Sequence, residues 1–227
     1  MALIEVLNDS GSVLIDDEYS NLVLATKGTA SFSGNVVTID YSSADGAMPL
    51  LAIRSSFYVA LVSISRPSSS IYRFTMYKAT DEPSTSFDYF LFHLPHAVQS
   101  AGGIVQLFNA QGRLVFDSNL KYFRLAMMGQ ITDMSGRSWT LPSGRSYAVC
   151  APCPVYSSVN APVGPQPPPN VPFLALATAY GYRTSGNVIQ AGQVTVSASY
   201  SVCPDGQCGW QYFNLNASMM VVDVTGF

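Results

Sequence analysis

The sequence predicts an all-β protein made of two related antiparallel β-sandwich units with little helix. Three observations lead there. One apolar hairpin sequence occurs twice, 101 residues apart. Elsewhere, apolar residues come in short runs or in strict alternation, each bounded by Gly, Pro, Asn, Asp or Ser. No window longer than a turn or two combines apolar spacings of three and four with helix caps.

The repeated stretch is LIEVLNDSGSVLIDDEYSNLVLA at residues 3–25 and IVQLFNAQGRLVFDSNLKYFRLA at 104–126. In register, the copies share Asn8 with Asn109, Gly11 with Gly112, Asp16 with Asp117, Leu24 with Leu125 and Ala25 with Ala126. Most other matches exchange one apolar residue for another. Each copy opens on an apolar run broken only by Glu5 or Gln106, which suits a strand buried on most of both faces. Asn-x-x-Gly follows. Asn at the first position of a type I turn hydrogen-bonds its own backbone two residues on, and Gly at the fourth takes the left-handed conformation that reverses the chain. The second run stops at Asp16 or Asp117, a poor strand residue suited to starting the next turn.

The remaining elements follow in order. Residues 21–26 form a third strand, with a turn starting at Lys27-Gly28. Residues 35–41 alternate Val36, Thr38 and Asp40 against Val37, Ile39 and Tyr41, the period of a half-buried strand. Residues 42–49, SSADGAMP, are loop by composition. Strands at 50–54 and 57–66 end at Pro67. Residues 71–78 alternate Ile71, Arg73, Thr75 and Tyr77 against Tyr72, Phe74, Met76 and Lys78; 79–86 break the pattern, and 87–94 close the first unit. Paired glycines in HAVQSAGG, 96–103, mark the boundary, giving units 1–97 and 98–227. PHAVQSAG is the best candidate for a single helical turn. The second unit continues with strands at 122–131, 138–141 and 146–150, then a proline-rich crossover at 161–172, where missing backbone donors exclude a central strand. Strands at 173–183, 193–202, 209–215 and 219–224 complete it. The continuously apolar FLALATAYGY is expected to be central.

The pattern of apolar strand, N-x-x-G, apolar strand, F-D-S and Y-F-R-L, as in LFNAQGRLVFDSNLKYFRL, resembles small virion proteins of long-tailed bacteriophages. Those proteins are thought to sit at the tail tip or baseplate, often open with such a hairpin and can repeat it. The resemblance covers the two hairpins, roughly a fifth of the chain. It implies an all-β structural or host-attachment role in a virion tail, with copies of itself and other tail proteins as partners. It carries over no catalytic residue.

Composition narrows the function classes. Eleven Lys and Arg against 14 Asp and Glu, a net charge of -3 and no basic cluster argue against nucleic acid and against an anionic membrane surface. No apolar run reaches the 18 or so residues of a spanning helix. With 48% hydrophobic residues, only 11% charged ones and a mean hydropathy of +0.21, apolar material is in excess. Subunit contacts are the expected place for it. The opening MALIEVLND carries Glu5 and Asp9 and no positive start, unlike a secretory signal. The expectation is synthesis in a host cytoplasm and exit inside an assembled particle.

Four cysteines are the one constellation with possible chemistry: Cys150 and Cys153 as C-x2-C, Cys203 and Cys208 as C-x4-C. The lead-ins SYAVC and SYSVC match, which suggests neighbouring strands. Two such pairs suit a structural tetrahedral Zn2+, disulfides in an extracellular particle are the preferred reading, and free thiols are the third. Both of the first two readings are structural staples, and no cofactor is required. His93 and His96 in FHLPH read as ordinary turn histidines. Carboxylates near turns, in FDYF and at Asp16, Asp17 and Glu18, lack the spacing of a known Ca2+ loop. The expectation is therefore a non-catalytic structural or host-attachment protein, touching a host glycan or protein through the loops 42–49, 79–86 and CPDGQCGW with Trp210. The alternative is a stand-alone carbohydrate-binding β-sandwich module. A hydrolase on this scaffold would need two facing carboxylates in a cleft.

Overall fold

The computed structural model describes residues 6–7, 13–15, 20–100, 102–133, 135–162, 171–203, 210–214 and 217–227, with side chains outside 6–7, 13–15, 171, 201–203, 210–214 and 217. The repeated hairpin appears twice: β1 (Val6–Leu7) with β2 (Val13–Ile15), and β9 (Gln106–Phe108) with β10 (Leu114–Asp117). The pairs Leu7 with Val13 and Val6 with Ile15 match Phe108 with Leu114 and Leu107 with Phe116, and both ladders shift register at the same place. The turn follows the sequence expectation. The Gly112 N–H donates to the Asn109 carbonyl (2.9 Å), the Gln111 and Arg113 N–H groups donate to Asn109 Oδ1 (3.1 and 2.9 Å), and Gly112 takes a φ of 73°.

Between the hairpins lie β3 (Val23–Ser31), β4 (Val36–Ser42), β5 (Leu50–Arg54), β6 (Val59–Ser65), β7 (Ile71–Lys78), β8 (Ser86–His93) and a 3-10 turn at Pro95–Ala97. After the second hairpin come β11 (Leu125–Ile131), β12 (Arg137–Thr140), β13 (Tyr147–Cys150), β14 (Tyr156–Pro162), β15 (Val171–Ser185), β16 (Val188–Cys203), β17 (Trp210–Asn214) and β18 (Ala217–Asp223). They form a two-layer antiparallel sandwich. One sheet runs β11-β18-β13-β5-β8-β3 and the other β12-β16-β15-β6-β7-β4, with β14 joined to β15 and β17 joined to β14. Both orders are palindromes if β3, β4, β5, β6, β7 and β8 correspond to β11, β12, β13, β15, β16 and β18. The halves are related by a pseudo-two-fold axis, and each sheet continues across both, through β5 with β13 and β6 with β15. Leu22 and Phe123, equivalent in the repeat, meet directly: the Phe123 N–H donates to the Leu22 carbonyl at 2.7 Å. The boundary near residue 97 separates the repeats but not the sheets.

Alternation sets the core. Tyr72, Phe74 and Met76 of β7 and Ile39 of β4 face inward against Leu51, Ile53 and Leu91, filling the first half. Ile131, Val149, Met219 and Val221 meet Tyr180, Tyr182 and Ile189 in the second. The outer face of the six-stranded sheet is apolar too: Ala52, Phe90, Phe92, Ala148, Cys150, Val222 and Val224 lie under Leu22, Phe123 and Phe227.

Several expectations change. Lys27-Gly28 starts no turn, since β3 runs through it to Ser31. The Tyr89 ring on the neighbouring strand lies across Gly28, so close that a Cβ there would sit 2.8 Å from the Tyr89 hydroxyl oxygen. Glycine thus marks a covered strand position here. The segment 156–162, with no apolar period, is a strand because β15 and β17 pair with it on both sides. The expected crossover at 161–172 is strand at both ends: Ala161 and Pro162 end β14, Val171 and Pro172 begin β15 opposite Cys203 and Val202, and residues 163–170 lie outside the described residues.

Candidate functional site

Cys150 ends β13 with its side chain buried in the outer apolar layer, and burial pushes its thiol up to about 12. Cys153 is exposed in the connection that follows, and both are free thiols. The backbone of Cys203 ends β16 opposite Val171, while its side chain and all of Cys208 lie outside the described residues. Among the described residues no group of three or more His, Cys, Asp or Glu side chains is arranged to hold a metal.

His93 and His96 converge on the loop 43–49. His93 Nδ1 accepts the Leu94 N–H (2.7 Å), which places the ring proton on Nε2, facing the Ala47 carbonyl (3.1 Å), Ser43 Oγ (3.1 Å) and Asp45 Oδ1 (3.3 Å). His96 Nε2 meets Asp45 Oδ2 at 2.9 Å, and Ser43 Oγ donates to the Ala47 carbonyl or Asp45 Oδ1. Ser, His and Asp together suggest nucleophilic catalysis, but the wiring differs. Both Ser43 and Asp45 address Nε2, already a donor, so the imidazole cannot take the serine proton. Ser43 and His93 are also buried. Burial would raise the Asp45 carboxyl, yet the Ala47 N–H, the Ser43 hydroxyl and the two histidines hold it below its ordinary value. The cluster pins a loop that the sequence offers as a host contact, helped by the Tyr72 hydroxyl donating to the Gly46 carbonyl (2.7 Å).

A polar trough opens elsewhere, at one end of the seam between the halves. Register sets Thr29, Asp88 and Arg54 in a row across β3, β8 and β5. The Thr29 hydroxyl donates to Asp88 Oδ1 (3.0 Å), and Arg54 Nε and Nη2 donate to Oδ2 (3.2 and 2.6 Å). A cleft of about 370 Å3 and another of about 250 Å3 share these three residues. The larger reaches Ser86, Arg145, Ser146 and Thr184; the smaller ends on Lys27 and Phe227. Arg145 is anchored by Asp223, Nη1 to Oδ2 at 2.7 Å, and the Arg124 guanidinium stacks 4.8 Å from the Phe227 ring centroid. Of these residues the sequence reading offered only Asp88 in FDYF and Ser86 at a loop end as functional candidates. Thr29, Arg54 and Arg145 lie far apart in the chain, and only strand register unites them.

A second surface is apolar. Ile104, Val105 and Phe108 of the second hairpin are 98%, 50% and 53% exposed, and Leu125 and Met128 of β11 are 50% and 63% exposed. Among the described residues β3, β4, β11 and β12 end the sheets. Three carry a charge on the strand, Lys27, Asp40 and Arg137, which discourages edge pairing; β11, LAMMGQI, carries none. Trp139 packs against the second core, and the Trp210 side chain lies outside the described residues. In comparisons with known proteins, no family model, no curated protein and no solved structure matches the chain.

Proposed function

We propose that the chain is a non-catalytic structural and host-attachment subunit of a phage tail tip or baseplate, assembling with copies of itself and with other tail proteins. The observation that carries the reading is the uncharged edge strand β11 with Leu125 and Met128 turned to solvent, together with the exposed apolar residues of the second hairpin. Unpaired backbone groups along such an edge, flanked by apolar side chains, are a template for another strand. The charge-poor composition and the doubled N-x-x-G hairpin that resembles tail-tip proteins point the same way. The test has two readouts: sedimentation of the purified chain at micromolar concentration, and antibody labelling of purified virions viewed by negative stain. Oligomers and a label at the tail end support the reading. A monomer, with no label on any virion, sinks it. The stand-alone carbohydrate-binding module would instead be a monomer with glycan affinity.

A further inference from the structure

We propose that the trough over the Thr29, Asp88 and Arg54 row, continued to Arg145 at the seam, binds a carboxylate-bearing saccharide such as a uronic or sialic acid unit. The proposal deepens the host-attachment reading and rests on it for its biological sense.

The lining matches what such a sugar presents. A pyranose offers a rim of hydroxyls, each both donor and acceptor, and binding needs fixed groups of both kinds. Thr29, Ser86, Ser146 and Thr184 supply hydroxyls, Arg54 and Arg145 supply donors, and Asp88 supplies the acceptor. The row uses three of the roughly four acceptor positions of a carboxylate, leaving one on Asp88 for a ligand hydroxyl. Because Thr29 and Arg54 already hold Asp88 from both sides, little side-chain freedom is lost on binding. At about 370 Å3 the larger cleft falls in the usual range of small-ligand sites, about 300–1,000 Å3.

Charge selects an acidic sugar over a neutral one. Arg54, Arg145 and Lys27 line the trough against Asp88, the one carboxylate in its wall, while Asp223 behind Arg145 is shared with Arg124, in a chain whose net charge is -3. Arg145 is 59% exposed at its side chain and tied to the buried Asp223, so its guanidinium is held at the wall with donors to spare. Phe227 closes the smaller cleft with an apolar surface suited to the C–H face of a sugar ring. Hydroxyls and a carboxylate acceptor among the lining groups suit a polyol better than a bare phosphate, which has few protons to donate to Asp88.

Saturation-transfer NMR on the intact chain, which tolerates large assemblies, tests this with N-acetylneuraminic acid, glucuronic acid, glucose and inorganic phosphate as probes. The expected result is transfer to both acids at millimolar concentration, with glucose binding at least about tenfold more weakly and phosphate failing to displace the acids. Asp88→Asn and Thr29→Val should each weaken binding, the former on the order of tenfold. Thr29→Val, at an exposed position, keeps the test open if Asp88→Asn does not fold. No transfer to either acid, equal binding of glucose, displacement by phosphate, or full binding by the folded variants would overturn the proposal. Virion labelling is read independently, so a sugar-binding chain absent from virions and a virion subunit blind to sugars are distinguishable.

Discussion

Asp117 shows how much a single residue of the repeat can carry. Its buried carboxylate accepts hydrogen bonds from Gln106 Nε2, Ser100 Oγ and the Asn119 N–H, each at 2.8 Å, and these hold it far below the usual carboxylate range. Sequence pattern marks it as a strand terminator, but its burial follows from the chain folding around it. Gly103 is part of that fold: a Cβ there would lie 2.1 Å from Asp117 Oδ1 and 2.7 Å from Ser118 Oγ. Gly103→Ala is therefore expected to cost about 1–3 kcal/mol, measured by chemical denaturation. At Asp223, burial would raise the carboxyl, but Thr225, Arg145 and Arg124 outweigh it and leave the group below its ordinary value of 3.8. Both groups are depressed in the fold, so the stability they contribute is complete above about pH 4 and lost as the pH falls below it. Denaturation midpoints followed downward from pH 5 should drop through that window, and less steeply in Asp117→Asn. The cysteines give a third check. With its thiol near 12, Cys150 should resist iodoacetamide in the native protein while exposed Cys153 reacts, as read by peptide mass spectrometry.

Elements differ in how far the repeat binds them. The two hairpins keep the same register and the same bulge, because Asn-x-x-Gly fixes turn geometry locally. The strands corresponding to β6 and β7, seven and eight residues long, are β15 and β16 with 15 and 16. The added length pairs with β14, which pairs in turn with β17, so the second half carries a four-stranded extension with no counterpart among the described residues of the first. Tyr200 there is 73% exposed. Edge strand β11 makes its own prediction. Met128→Lys places a charge on an exposed edge position, so it should shift sedimentation toward smaller species while leaving the melting temperature within a few degrees.

At the scale of the molecule, the two repeats make one sandwich. Each sheet crosses the seam, and the outer layer packs Phe123 and Phe227 from the second repeat against Phe92 of the first, with ring centroids 5.0 and 6.0 Å apart. A chain of residues 1–97 or 98–227 would expose the seam edges of β5 and β6, or of β13 and β15. The whole chain is expected to unfold in a single calorimetric transition, and neither half to show dispersed NMR signals alone.

The all-β class, the turn at Asn109 to Gly112, the inward faces of β4 and β7 and the short 3-10 turn after β8 were legible in the amino-acid order, because each depends on a period of two or on local turn chemistry. The pseudo-two-fold arrangement, the strand at 156–162, the passage of β3 through Gly28 and the Thr29, Asp88 and Arg54 row were decided by tertiary structure. Those depend on which strands become neighbours and in what register, and residues 25 to 59 positions apart carry no mark of one another until the sheet is assembled.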